Sequence, residues 1–122
     1  MKCGTDICSV GRMKYSIEKL GDKFLKRVFT EKEIQYCEAR RNGKYESYAA
    51  RFAGKEAVYK AIAPCREQGG TFTEVEILNT SNGAPYVILH GELAQIAGNL
   101  SIEVSLSHEK EYAIAMCVTI EK

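Results

Sequence analysis

The longest continuous pattern of apolar and polar positions lies between residues 44 and 63. Tyr45, Tyr48, Phe52, Tyr59 and Ala63 recur at helical spacing and make one stripe. Alanines fill the segment, only Gly54 works against it, and Pro64 lies just past its end. The pattern predicts a helix from residue 44 or 45 to about residue 62, with the stripe turned inward. Glu56 falls on that stripe, and an inward carboxylate is costly unless a cation meets it. Lys60, four residues on, or a bound metal ion would serve. Arg51 and Lys55 form a like-charged pair four residues apart, which costs a helix about a few tenths of a kcal/mol; a bound anion would reverse that sign. Ordinary ion pairing and a solvated face account for the same spacings.

The remaining pattern places the other elements around this helix. Residues 2–9 read as an opening strand that holds Asp6, an aspartate that either faces solvent or stands there as a ligand. Gly11 breaks the strand, and helical stretches follow at about 12–20 and 22–28. Thr30-Glu31-Lys32-Glu33 is a capping box, with Phe29 placed to staple against Ile34, and opens a helix to about residue 39. Residues 40–43 are a polar linker. After Pro64 the chain reads as loop, then as a strand at 72–78. An Asn-Gly turn at Asn82-Gly83 joins it to a partner strand at 84–89. A short helix at 92–97 precedes two strands of regular alternation, the second at 112–120. Ala113, Ala115 and Cys117 leave one face of that last strand small enough for the central helix to approach closely. Helices in the first half and antiparallel strands in the second predict an α+β fold. An antiparallel sheet packs on the long central helix within a single domain over 1–122, with no internal repeat.

Charge changes this picture more than composition does. Apolar residues at 45% and charged residues at 27% are ordinary for a soluble protein. No apolar run of about 18 residues and no apolar leader follow Met1, so the expectation is a cytoplasmic chain without a membrane span. The net charge of +1 hides an asymmetry: residues 1–66 carry 15 Lys and Arg against 8 Asp and Glu, and residues 67–122 carry 2 against 8. Arg12, Lys14, Lys19, Lys23, Lys26 and Arg27 concentrate the positive charge, either as a solvated face or as a landing strip for an acidic partner. The chain has no Trp and no interleaving of basic with aromatic residues, which argues against nucleic acid. The 5 cysteines form no C-x-x-C pair and no arrangement with histidine, so reduced thiols fit better than a disulfide framework, a zinc site or a catalytic thiol. His108 closes Ser105-Leu106-Ser107-His108 at a strand end, and Gly83-Ala84-Pro85 reads by itself as turn chemistry.

Gly4-Thr5-Asp6-Ile7 and Arg51-Phe52-Ala53-Gly54-Lys55-Glu56-Ala57-Val58-Tyr59-Lys60 resemble the two signature motifs of the holo-acyl-carrier-protein synthases, within the 4′-phosphopantetheinyl transferase superfamily. Arg27-Val28-Phe29-Thr30 with Glu33, Asn82-Gly83-Ala84-Pro85 and Ser105-Leu106-Ser107-His108 match in the right order over essentially the whole chain. Two departures stand out: Gly54, where the family has alanine, serine or threonine, and residues 63–70, where it has a Phe-Gly-Thr-Gly-Ile-like loop.

The resemblance implies transfer of the phosphopantetheine arm of coenzyme A to a carrier-protein serine, with release of 3′,5′-ADP, in fatty acid biosynthesis. It implies Asp6 and Glu56 as ligands of Mg²⁺, the ion that takes one or two carboxylates and completes its shell with water and phosphate; Mn²⁺ is not separated from it. Lys60 would meet the diphosphate, and Glu56, directly or through a water, would take the serine proton. Lys44, Arg51 and His108 would hold the 3′-phosphate, and Gly83 and Pro85 would border the adenine. Acyl carrier proteins are acidic, so the basic strip, Arg12 first, becomes their docking face. The family's small members imply a homotrimer with sites between subunits. Two other classes use part of the same residues: a Mg²⁺-dependent diphosphate hydrolase, which needs no acceptor protein, and a non-catalytic module docking an acidic partner.

Overall fold

The computed structural model describes residues 1–63 and 71–122; the expected loop after Pro64 lies outside the described residues. Strand β1 (Lys2–Ser9) leads through α1 (Val10–Leu20), α2 (Asp22–Val28) and α3 (Glu31–Ala39) to a 3₁₀ turn at Arg41–Gly43 and the central helix α4 (Lys44–Ile62). A second 3₁₀ turn (Phe72–Glu74) opens the hairpin β2 (Val75–Asn79) and β3 (Pro85–Leu89); α5 (Gly91–Ala97), β4 (Leu100–His108) and β5 (Tyr112–Glu121) complete the described chain. The α+β expectation holds. One sheet has the order β1-β5-β4, antiparallel throughout, and β2 and β3 pair as a separate two-stranded sheet.

Small residues decide how α4 meets the sheet. Ala113, Ala115 and Cys117 of β5 are buried, as are Ala53, Ala57 and Ala61 of α4. Gly4 pairs with Cys117 in register. A Cβ on Gly4 would stand 2.2 Å from the Ala57 carbonyl oxygen, so only glycine lets the helix backbone lie this close to β1. Gly54 has a related use, since a Cβ there would meet Ile77 Cδ1 at 2.5 Å. The departure from the family pattern at this position makes room for a side chain of the hairpin.

Three expectations about the elements need correction. The aromatic stripe of α4 is not its inward face: Tyr48 is buried, but Tyr45, Phe52 and Tyr59 are half-buried and Ala63 is exposed. The alanines form the inward face, because close packing on a sheet rewards small side chains and leaves the large ones to flank the contact. Gly11 does not break the chain ahead of a helix; it lies inside α1, which starts at Val10 with Ser9 Oγ accepting from the Arg12 N–H at 3.2 Å. Residues 72–74 form a 3₁₀ turn, and the strand begins only at Val75.

The capping box at Thr30 is present with both of its hydrogen bonds, and its glutamate does more than cap. Glu33, fully buried, accepts from the Thr30 N–H at 2.8 Å and from the Ile77 N–H at 2.8 Å, and pairs with Lys55 Nζ at 2.7 Å. Lys55 Nζ also donates to the carbonyls of Phe72, at 2.9 Å, and Val75. Burial lowers the Lys55 pKa and Glu33 pulls it back up. The expected anion site of Arg51 with Lys55 is therefore corrected: Lys55 is enclosed by Glu33 and two carbonyls and joins α3, α4 and the hairpin.

Candidate active site

The approach that Gly4 allows brings the two sequence motifs together. Asp6, two residues on, projects from the same face of β1, and Lys60 Nζ donates to Asp6 Oδ1 at 3.1 Å and to the Thr5 carbonyl at 2.9 Å. Glu56 lies one helical turn before Lys60. Burial raises its pKa, the charge of Asp6 raises it further, and Lys60 opposes both. The spacing alone suggested an intrahelical Glu56–Lys60 pair, whereas the direct partner of Lys60 is Asp6.

Two neighbouring carboxylates that repel one another fit a divalent cation, whose charge would relieve both. Among the described residues no group of three or more His, Cys, Asp or Glu side chains converges. The donor set is thus limited to oxygen ligands in a number suited to Mg²⁺, and it does not suit a closed structural zinc site. Glu56 and Lys60 open into a pocket of about 520 Å³ with Arg27, Tyr59, Ala63, Thr71 and Phe72. One end is charged and the other is aromatic, with Phe72 against Phe52 at 5.3 Å and edge-on to Tyr59 at 6.1 Å. Arg27 entered the sequence reading as part of the basic strip and of the Arg27-Val28-Phe29-Thr30 match, and no spacing linked α2 to the carboxylates.

A second pocket, of about 210 Å³, collects most of the expected nucleotide residues: Arg51, Gly83, Pro85 and His108 line it, with Tyr36 and Asn79. Lys44 stands outside that lining, and its ammonium pairs with Glu38 at 3.3 Å. His108 Nδ1 meets Glu46 Oε2 at 3.2 Å. Burial pushes the thiols of Cys8, Cys37 and Cys117 up to about 11, which leaves these three little thiolate near neutral pH.

The two pockets lie on opposite sides of α4. Arg51 and Lys60 are nine residues apart, about two and a half turns, so they project in opposite directions. Asp6 and His108 share the sheet face beneath the helix but stand on its two edge strands, with β5 between them.

A family model described as the 4′-phosphopantetheinyl transferase superfamily matches residues 2–117. The chain belongs to this superfamily. It is 50% identical to the holo-[acyl-carrier-protein] synthase of Ruminiclostridium cellulolyticum over 121 residues, covering 97% of this chain and 90% of that protein. It is 40% identical to that of Koribacter versatilis over 94% of each. Among solved structures, the Helicobacter pylori holo-[acyl-carrier-protein] synthase in complex with coenzyme A superposes with a TM-score of 0.83 at 30% identity, over 97% of this chain and 99% of that one. The resemblance read from the motifs is borne out, and with it the transferase class.

Proposed function

We propose that this chain transfers the 4′-phosphopantetheine arm of coenzyme A to a serine of an apo-acyl carrier protein, releasing 3′,5′-ADP. The observation that carries this reading is the crossing at Gly4, which sets Asp6 of one motif beside Glu56 and Lys60 of the other. Asp6 and Glu56 would hold Mg²⁺, which when bound neutralises charge on the diphosphate and polarises the transferred phosphoryl group. Lys60, half exposed, brings a second cation to the same place. Glu56 takes the serine proton directly or through a water. The aromatic end of the pocket at Tyr59 and Phe72 receives the less polar arm.

Arg51 and His108 hold the 3′-phosphate, with Gly83 and Pro85 against the adenine. The 3′-phosphate and the diphosphate sit on one ribose, and α4, about 10–12 Å across with its side chains, stands between the two pockets. One coenzyme A therefore joins the carboxylates of one chain to the Arg51 pocket of another. The outer face of the three-stranded sheet offers the surface for such an assembly: Ile7, Tyr112, Ile114, Met116 and Ile120 are large apolar side chains left exposed there. A homotrimer with sites between subunits fits both features.

The acidic partner meets α1 and α2. Arg12, Lys14, Lys19, Lys23, Lys26 and Arg27 are exposed on these helices beside the exposed Tyr15 and Leu20, and Arg27 reaches the pocket of Glu56 and Lys60. Among the described residues no helix is long and apolar enough to cross a membrane.

Intact-mass spectrometry of an apo-acyl carrier protein incubated with this protein, coenzyme A and Mg²⁺ tests the reading. One added phosphopantetheine arm is expected, absent with EDTA and with Glu56→Ala. Metal-dependent cleavage of coenzyme A without modification of the acceptor would replace it with the hydrolase reading, and no change of either kind would leave only a docking module.

A further inference from the structure

Arg51 is 3% exposed, and its guanidinium is held on three sides. It lies over the Tyr36 ring, 4.0 Å from the centroid. Nη1 donates to Ser47 Oγ at 3.3 Å, and Nη2 donates to Asn79 Oδ1. Nε has no hydrogen-bond partner among the described residues, so a buried, charged donor is left in the lining of the 210 Å³ pocket. Asn79 in turn donates from Nδ2 to the Gly83 carbonyl at 2.9 Å, inside the turn closed by Gly83 N–H to Thr80 O and Thr80 N–H to Ala84 O, each 2.9 Å.

We infer that Asn79 is a positioning residue that sets donor specificity: it ties the guanidinium of Arg51 to the Gly83–Pro85 turn, so that the 3′-phosphate and the base of the nucleotide are read as one unit. The inference rests on the reading that Arg51 holds the 3′-phosphate. Its chemistry is specific to an amide. A guanidinium only donates and a carbonyl only accepts, so the side chain joining them must accept at one end and donate at the other. Aspartate lacks the donor. It would also pair ionically with Arg51 and cancel the charge meant for the phosphate. A neutral acceptor orients the guanidinium and leaves its charge available. By contrast, His108 in the same pocket already faces a carboxylate, Glu46.

The test compares kcat/KM for coenzyme A and for 3′-dephospho-coenzyme A in the wild type, Asn79→Asp, Asn79→Ala and Arg51→Ala, with thermal melts alongside. Asn79→Asp is expected to lower kcat/KM for coenzyme A about tenfold, through KM rather than kcat, and to leave the dephospho donor nearly unchanged. Asn79→Ala is expected to shift the ratio in the same direction by less. A merely structural role would depress both donors together and keep their ratio. If Arg51→Ala abolishes the preference for coenzyme A while both Asn79 variants keep it, the inference is overturned and the reading of Arg51 stands. If Arg51→Ala keeps the preference too, the reading of the pocket falls and the inference with it.

Discussion

Lys55 and Lys60 stand five residues apart on one helix, and each faces a carboxylate from another element. The Lys55–Glu33 pair is 2.7 Å long with both side chains at 0% exposure; the Lys60–Asp6 pair is 3.1 Å long with side chains at 54% and 18%. In the first, two carbonyls and two backbone N–H groups fill the remaining hydrogen-bonding positions, so no ligand can enter. In the second, Lys60 opens into the pocket of about 520 Å³ beside a further carboxylate, Glu56, whose pKa is raised by burial and by the charge of Asp6. The same residue types at similar spacing thus do different work. Burial and saturation of hydrogen bonds close one pair to any ligand, and their absence leaves the other accessible.

Removing one partner from each pair sharpens this contrast. Lys55→Met should cost about 3–5 kcal/mol of stability, because it strands a buried glutamate, and chemical denaturation will show it as a lower midpoint. Lys60→Met should cost no more than about 1 kcal/mol but lower the transfer rate about 10- to 100-fold in the carrier-protein assay. Equal destabilisation by the two would dissolve the distinction.

Metal separates the two sites next. Mg²⁺ at a hundred times its Kd should stabilise the folded chain by about 2.7 kcal/mol, visible as a rise in Tm. The gain should vanish in Glu56→Ala and survive in Lys60→Met, since Lys60 brings charge without ligating. A rise of equal size in Glu56→Ala would place the ion elsewhere.

The smallest effect concerns pH and belongs to the structural side. Burial pushes the Glu76 carboxyl up, but hydrogen bonds from Thr30 and His90 outweigh it and hold the pKa below the ordinary value. A depressed carboxylate pKa contributes stability above the unfolded value, about 4.3, that is lost as pH falls toward the folded one. Glu76→Gln should flatten that part of the acid unfolding curve below about pH 5 and leave neutral-pH transfer unchanged. An unchanged acid limb would contradict the assignment.

The sequence carried the elements of this fold well wherever local signals act alone. The capping box at Thr30, the Asn82-Gly83 turn and the alternation of β4 and β5 appear where expected. It misled where tertiary packing overrides side-chain size. The aromatic stripe of α4 reads as core, yet alanines and glycines made the contact, because the partner strands are equally bare. Asp6 and Glu56 could be named from their motifs, but their convergence depends on Gly4 lacking a Cβ, which spacing does not reveal. Lys55 was unreadable for a different reason: its partner, Glu33, had already been accounted for as a cap. Arg27, Tyr36 and Asn79 come from elements remote in sequence, and no periodicity connects them to the helix they serve.

The separation of the carboxylate pocket from the Arg51 pocket by the width of α4 is the feature on which the assembled site depends. Coexpression of Glu56→Ala chains with Arg51→Ala chains, assayed at a coenzyme A concentration low enough that neither turns over measurably alone, tests it most directly. In a head-to-tail ring, one interface in about four of a random mixture joins an intact Glu56 to an intact Arg51. Transfer should then recover to about a quarter of the wild-type rate per site. No recovery in mixed assemblies that are shown to form would mean that both pockets serve a coenzyme A within one chain.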